Sequence, residues 1–167
     1  MTAEIMIVDD FKEWRLRLRS FLELIPGFRV VCEAADGLEA VEKAAQWLPD
    51  IVLLDIGLPL LNGIEAAPRI RRASPLSRII FLTQEHDSDI RAAALASGAA
   101  AYLSKSTPVS ELRHTIEESL LNGFQACDAA MRIPTQFNLP GLDNPSRQEF
   151  SARRRGSQTV QSASQTD

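Results

Sequence analysis

The sequence predicts an α/β fold, a doubly wound five-stranded parallel sheet with helices on both faces. Three observations carry that expectation. The runs Ile5–Val8, Ile51–Leu54 and Ile79–Leu82 are continuously apolar, as in strands buried on both faces of a parallel sheet. Each leads into a stretch whose apolar residues recur at three and four, the period of an amphipathic helix. Strand and helix signals then alternate five times, which calls for right-handed crossovers rather than hairpins.

Composition narrows the class. A chain of 167 residues holds one domain with a real core and is too short for two of ordinary size. Hydrophobic content of 45% and charged content of 24% fit a globular protein. Cys32 and Cys127 stand in unrelated contexts, so free thiols in a reducing compartment are expected. Glu4, Asp9 and Asp10 occupy the start, with no basic leader and no long apolar segment. No signal peptide, no membrane span and a cytoplasmic location are therefore expected. The net charge of −4 argues against a nucleic-acid-binding body. Residues 1–123 hold 13 Lys/Arg against 18 Asp/Glu and residues 124–167 hold 5 against 4, so the acidity belongs to the folded part.

The elements follow in order. Ile5–Val8 is the first strand and ends at Asp9-Asp10. Phe11, Trp14, Leu18, Phe21, Leu22 and Ile25 form the stripe of the first helix, which Pro26-Gly27 ends. Phe28–Ala34 reads as an edge strand, with Val30, Cys32 and Ala34 sharing one side. Asp36 caps the second helix, whose stripe is Leu38, Val41, Ala45 and Leu48. Ile51–Leu54 runs straight into Asp55 and is stopped by Gly57 and Pro59. Asn62 caps the third helix, with Ile64, Ala67 and Ile70 inward. Pro68 within it removes a backbone bond and predicts a kink or a late start. Ile79–Leu82 ends at Thr83. Ser88–Ser97 is an alanine-rich fourth helix closed by Gly98. Ala100–Leu103 is a weak fifth strand ending near Lys105. Thr107-Pro108 starts the fifth helix as cap and first residue, Val109, Leu112, Ile116 and Leu120 form its stripe, and Gly123 ends it.

The second and fifth strands are the weakest and so the natural edges. That gives the flavodoxin-like order 2-1-3-4-5, with Asp9, Asp10 and Asp55 meeting at the carboxyl end of neighbouring strands. The domain is expected over 1–123. Residues 124–167 are expected to add a short helical extension and then a Pro-, Ser- and Gln-rich disordered tail with a basic cluster at Arg153–Arg155.

Three carboxylates at strand ends repel one another unless a cation lies among them. Carboxylates with a backbone carbonyl and waters suit Mg²⁺. Lys105 adds a second positive charge and Thr83 a hydroxyl. This set can hold a phosphoryl group on Asp55 after in-line attack.

With Val8-Asp9-Asp10, Asp55 followed by Pro59 and Gly63, Leu82-Thr83 and Tyr102-Leu103-Ser104-Lys105 in that order, residues 3–122 resemble the receiver domain of two-component response regulators, a CheY-like fold. The segments Leu53–Pro59 and Asn62–Glu65 are most similar to the NarL/FixJ type. The resemblance implies that Asp55 is the phospho-acceptor for a sensor histidine kinase or phosphotransfer protein. It implies Mg²⁺ held by Asp9, Asp10, Asp55 and the carbonyl of Gly57. It implies that Lys105 and Thr83 contact the phosphoryl oxygens and that Thr83 and Tyr102 form a switch pair. The surface of helix four, strand five and helix five would then meet an unidentified downstream protein or a phosphorylation-dependent second copy.

Departures from the family pattern are Ser106 after Lys105, Pro68 within the third helix and bulky Gln84 after Thr83. Relatives of this type continue into a helix-turn-helix domain, and the 44 residues after Gly123 lack three periodic helices. The leading expectation is a single-domain, non-enzymatic signalling switch acting through protein contacts, with no membrane association and without DNA binding. The alternative is a truncated or atypical DNA-binding regulator. A phosphohydrolase is disfavoured because Gly57 stands where such an enzyme needs a second acid, and a pseudo-receiver because every site residue is in place. His86, His114, Trp14 and Trp47 read as surface or packing residues.

Overall fold

A computed structural model describes residues 2–85 and 87–131. The strands β1 (Ala3–Val8), β2 (Phe28–Ala34), β3 (Ile51–Leu54), β4 (Arg78–Thr83) and β5 (Ala101–Ser104) form one parallel sheet in the order β2-β1-β3-β4-β5. This is the predicted topology. Between and after them run α1 (Lys12–Glu23), α2 (Gly37–Trp47), α3 (Gly63–Ala73), α4 (Ser88–Ala96) and α5 (Val109–Met131). One core lies between the sheet and α2, α3 and α4, and the other between the sheet and α1 and α5. Every residue of β3 is buried, which is why its sequence is continuously apolar.

The sequence misplaces several details. The inward face of α2 is Gly37, Ala40 and Ala44, with Val41 beside it, whereas Leu38, Ala45 and Leu48 are exposed. Close packing explains the rotation. A Cβ on Gly37 would come within 2.0 Å of the carbonyl oxygen of Leu61, so only small residues fit against this wall. The predicted alternation of β2 is broken by a bulge. The register with β1 jumps from Ile5↔Val30 to Met6↔Cys32, leaving Val31 as the extra residue. Val30 therefore joins the core of α1 and α5 while Cys32 and Ala34 join the other.

Helix α3 starts on time. Asn62 Oδ1 accepts the Glu65 N–H at 3.0 Å, and the helix continues through Pro68 to Ala73. Pro68 is exposed, so water can reach the helical carbonyl that the imino acid leaves without a donor. In α5 the first helical bond runs from the Leu112 N–H to the Pro108 carbonyl, so Pro108 rather than Thr107 is the cap, and the helix passes Gly123. In α1, Leu18 and Leu22 are buried, but Phe11 and Phe21 are exposed. Gly98 has φ +86° just after α4, the left-handed stop its sequence position predicts. The expectations for the tail from 132 onward, the Arg153–Arg155 cluster among them, and for His86 lie outside the described residues, as do the side chains of Gly123–Met131.

Candidate functional site

The site is built where strands end. β1 and β3 are neighbours in register Val8↔Leu54, so the next residues, Asp9 and Asp55, emerge side by side. One ladder bond beyond each strand fixes these backbones: Asp9 N–H to Ala34 O at 3.1 Å, and Asp55 N–H to Val8 O at 2.9 Å. Lys105 is held the same way, its N–H donating to Thr83 O at 2.9 Å. The start of α3 abuts the Asp55 main chain, since a Cβ on Gly63 would lie 2.1 Å from the Asp55 carbonyl oxygen.

Asp9 and Asp55 are 2% and 6% exposed, while Asp10 is open to solvent. Lys105 Nζ bridges the buried pair, 2.6 Å from Asp9 Oδ2 and 2.7 Å from Asp55 Oδ2. The other oxygens accept backbone donors: Asp55 Oδ1 from Ile56 N–H at 2.7 Å, and Asp9 Oδ1 from Phe11 N–H at 2.9 Å. Burial raises the Asp9 pKa, and its hydrogen bonds to Lys105 and Phe11 offset this only in part. Burial alone would lower the Lys105 pKa. Its hydrogen bonds to Asp55 and Asp9 outweigh burial and raise it, so the ammonium stays charged at neutral pH.

Asp55, Lys105, Asp10, Thr83 and Gly57 share one open cleft of about 560 Å³. Carboxylate oxygens of Asp9, Asp10 and Asp55 all lie within 4.8 Å of one another. Three carboxylates against one lysine leave a formal charge of −2 on hard oxygen donors, a set that fits a divalent cation of the Mg²⁺ kind.

Thr83 is buried, and its Oγ1 accepts the Glu85 N–H at 3.3 Å. Tyr102 lies outside the cleft lining. Its hydroxyl donates to the Glu85 carbonyl at 2.7 Å, and the guanidinium of Arg91 in α4 stands 5.6 Å from its ring centroid. The backbone of one residue, Glu85, therefore bridges Thr83 and Tyr102 through its N–H and its C=O.

Sequence reading overlooked three residues of α1. Trp14 and Arg17 line the cleft. Arg15 Nη1 donates to the Asp9 carbonyl at 2.6 Å and its Nε to Glu33 at 3.1 Å. Trp14 falls on the apolar stripe, so its period resembles packing alone. The available signal was its position one turn after Asp10.

These features define a doubly wound α/β domain with a lysine-bridged acidic cleft at the carboxyl end of its sheet. More particularly, the chain belongs to the response regulator receiver domain family, whose model matches residues 5–117. It is 35% identical over 112 residues to the transcriptional regulatory protein LiaR of Bacillus subtilis, covering 67% of this chain and 53% of that protein. This chain thus spans about half the length of that relative. A two-component response regulator of the LuxR family from Aurantimonas matches with TM-score 0.69 and 39% identity, covering 73% of this chain and 87% of that one. The CheX–CheY–BeF3–Mg²⁺ complex of Borrelia burgdorferi contains a chain matching with TM-score 0.65 and 26% identity, over 70% of this chain and 87% of that one. Among the described residues no helix is long and apolar enough to cross a membrane.

Proposed function

We propose that Asp55 accepts a phosphoryl group from a phosphohistidine of a sensor kinase or phosphotransfer protein, and that the modification resets a protein-binding surface. The observation that carries this reading is the buried Asp9–Lys105–Asp55 bridge opening onto the cleft. An Asp55 oxygen attacks phosphorus in line. The O–P bond forms, the N–P bond breaks, and the departing imidazole nitrogen takes a proton. The Ile56 N–H holds the carboxylate orientation. Lys105, already charged beside Asp55, neutralises a phosphoryl oxygen. Asp9, Asp10, Asp55 and the carbonyl of Gly57 would hold Mg²⁺, which supplies positive charge to the phosphoryl oxygens.

The Thr83 hydroxyl can donate toward the phosphoryl group while still accepting from Glu85. Tyr102 hangs on the same residue's carbonyl and touches α4 through Arg91, so a shift at Thr83 reaches the α4–β5–α5 surface. That surface serves a downstream protein or a second phosphorylated copy. Gly57, two residues after Asp55, offers no acid to a leaving group, so the protein does not turn over external substrates. The reading puts the protein in the cytoplasm, where the free thiol of Cys32 is stable.

Intact mass after incubation with phosphoramidate and Mg²⁺ tests the reading. A single metal-dependent adduct, lost in Asp55→Ala, is expected; no adduct on the native chain overturns it. The likeness to LiaR supports a second reading, in which the same switch governs DNA binding. Salt-resistant, sequence-selective gel shifts would select it.

A further inference from the structure

We infer that Trp14 is a specificity-determining residue for phosphoryl transfer: its indole receives the planar imidazole of the donor, so the site favours a phosphoryl group carried on a ring nitrogen over one on a small amine. The inference rests on the reading of Asp55 as acceptor. Trp14 is half-buried in the first turn of α1 and lines the acidic cleft with Asp55 and Lys105. It also lines a second, mostly apolar hollow of about 270 Å³ that Lys105, Val109 and Leu112 share. The indole is thus common to the acidic cleft and the apolar hollow.

The chemistry of the donor fits that position. In a phosphohistidine the ring is one bond from phosphorus, so phosphorus at Asp55 brings the imidazole to the cleft wall. An aromatic wall stacks a planar ring and has no comparable hold on an amine. Lys105 Nζ stands 5.8 Å from the indole centroid, so the ring also bears on the group that meets the phosphoryl oxygens. Arg17 lies three residues further along the same helix face and lines both spaces. Arg15 and Arg19 are engaged by Glu33, whereas Arg17 makes no salt bridge among the described residues. The wall therefore combines an aromatic surface with an uncommitted cation, the pair an anionic ring-bearing donor needs. Trp14 also packs against the core of α1 and α5, and a packing role alone predicts no preference between donors.

The test compares monophosphoimidazole with phosphoramidate. Both form the same Asp55 O–P bond and break an N–P bond. One releases imidazole and the other ammonia, each taking up a proton. Rates are read by intact mass for the native chain, Trp14→Leu and Trp14→Phe, and the readout is the ratio of the two donors. The ratio should fall roughly threefold to tenfold in Trp14→Leu and recover in Trp14→Phe, which keeps an aromatic face. A ratio unchanged in Trp14→Leu overturns the inference while leaving Asp55 as acceptor. No adduct on the native chain from either donor overturns the acceptor reading and this one with it. Titrating the native chain with imidazole gives a readout free of folding effects. The indole N–H resonance of Trp14 should shift and that of Trp47, on α2, should not; no shift at Trp14 overturns the inference.

Discussion

Helices α3 and α4 lie on the same face of the sheet and are held in opposite ways. α3 buries Gly63, Ala66, Ala67 and Ile70, and its first residue touches the main chain of Asp55. α4 buries Ala94 alone, with Ile90 partly covered and Leu95 43% exposed. The strands beneath repeat the contrast, because β3 is buried throughout and every residue of β5 is half-buried. The proposed acceptor therefore stands on the rigid side of the domain, and the proposed readout on the side that costs little to displace. Elements that move in switches come from the weakly held end of a structure. Here the difference in holding is visible along one sheet.

Ile70→Ala, fully buried in α3, should lower stability by about 2–5 kcal/mol in urea unfolding. A loss under 1 kcal/mol would mean that α3 is no better held than α4. Gly63→Ala should cost about 1–3 kcal/mol, because the new Cβ meets backbone atoms that cannot turn away. Since those atoms belong to Asp55 and Ile56, the same variant should also slow phosphoryl uptake, measured by intact mass.

A third mode of holding operates between α1 and β2. Arg19 and Arg15 reach Glu33 at 2.6 and 3.1 Å. Burial alone would raise the Glu33 pKa, but these hydrogen bonds outweigh it and hold the carboxyl below its ordinary 4.5. The sign follows from the lowered value. The contribution is full above pH 4.5 and is lost as pH falls through the folded-state pKa. Glu33→Gln should thus cost up to about 1 kcal/mol at pH 7, with the gap to the native chain closing in acid. A gap that stays constant down to pH 3 would remove the ion pairs from the account. The smallest effect belongs to α4. Leu95→Ala should stay within about 0.5 kcal/mol of the native chain, and a loss comparable to Ile70→Ala would erase the contrast.

Much of this was legible in the sequence, and the failures have physical reasons. Strands buried on both faces announce themselves as unbroken apolar runs, so β1, β3 and β4 and the convergence of Asp9, Asp55 and Lys105 followed from the pattern. Helix faces packed through small residues do not. In α2 the inward residues are Gly37, Ala40 and Ala44, and hydropathy pointed to Leu38 and Leu48 instead. The bulge at Val31 leaves no mark in β2, because Val30 and Cys32 are both apolar and both buried on opposite faces. Trp14 was visible as an aromatic residue, but period cannot distinguish a core side chain from one at the rim of a cleft. The Arg15 contact with the Asp9 carbonyl is to backbone, which no residue pattern encodes.

The bridge between Thr83 and Tyr102 has a consequence for how such a chain diversifies. It consists of the N–H and C=O of residue 85, with no part played by the glutamate side chain. In the proposed switch, any residue with an amide hydrogen could stand there and keep both bonds, whereas proline would remove the N–H half of the bridge. The side chain of this cleft-lining residue is thus free to change without breaking the bridge. Chains with dissimilar side chains between β4 and α4 can share the same two backbone hydrogen bonds.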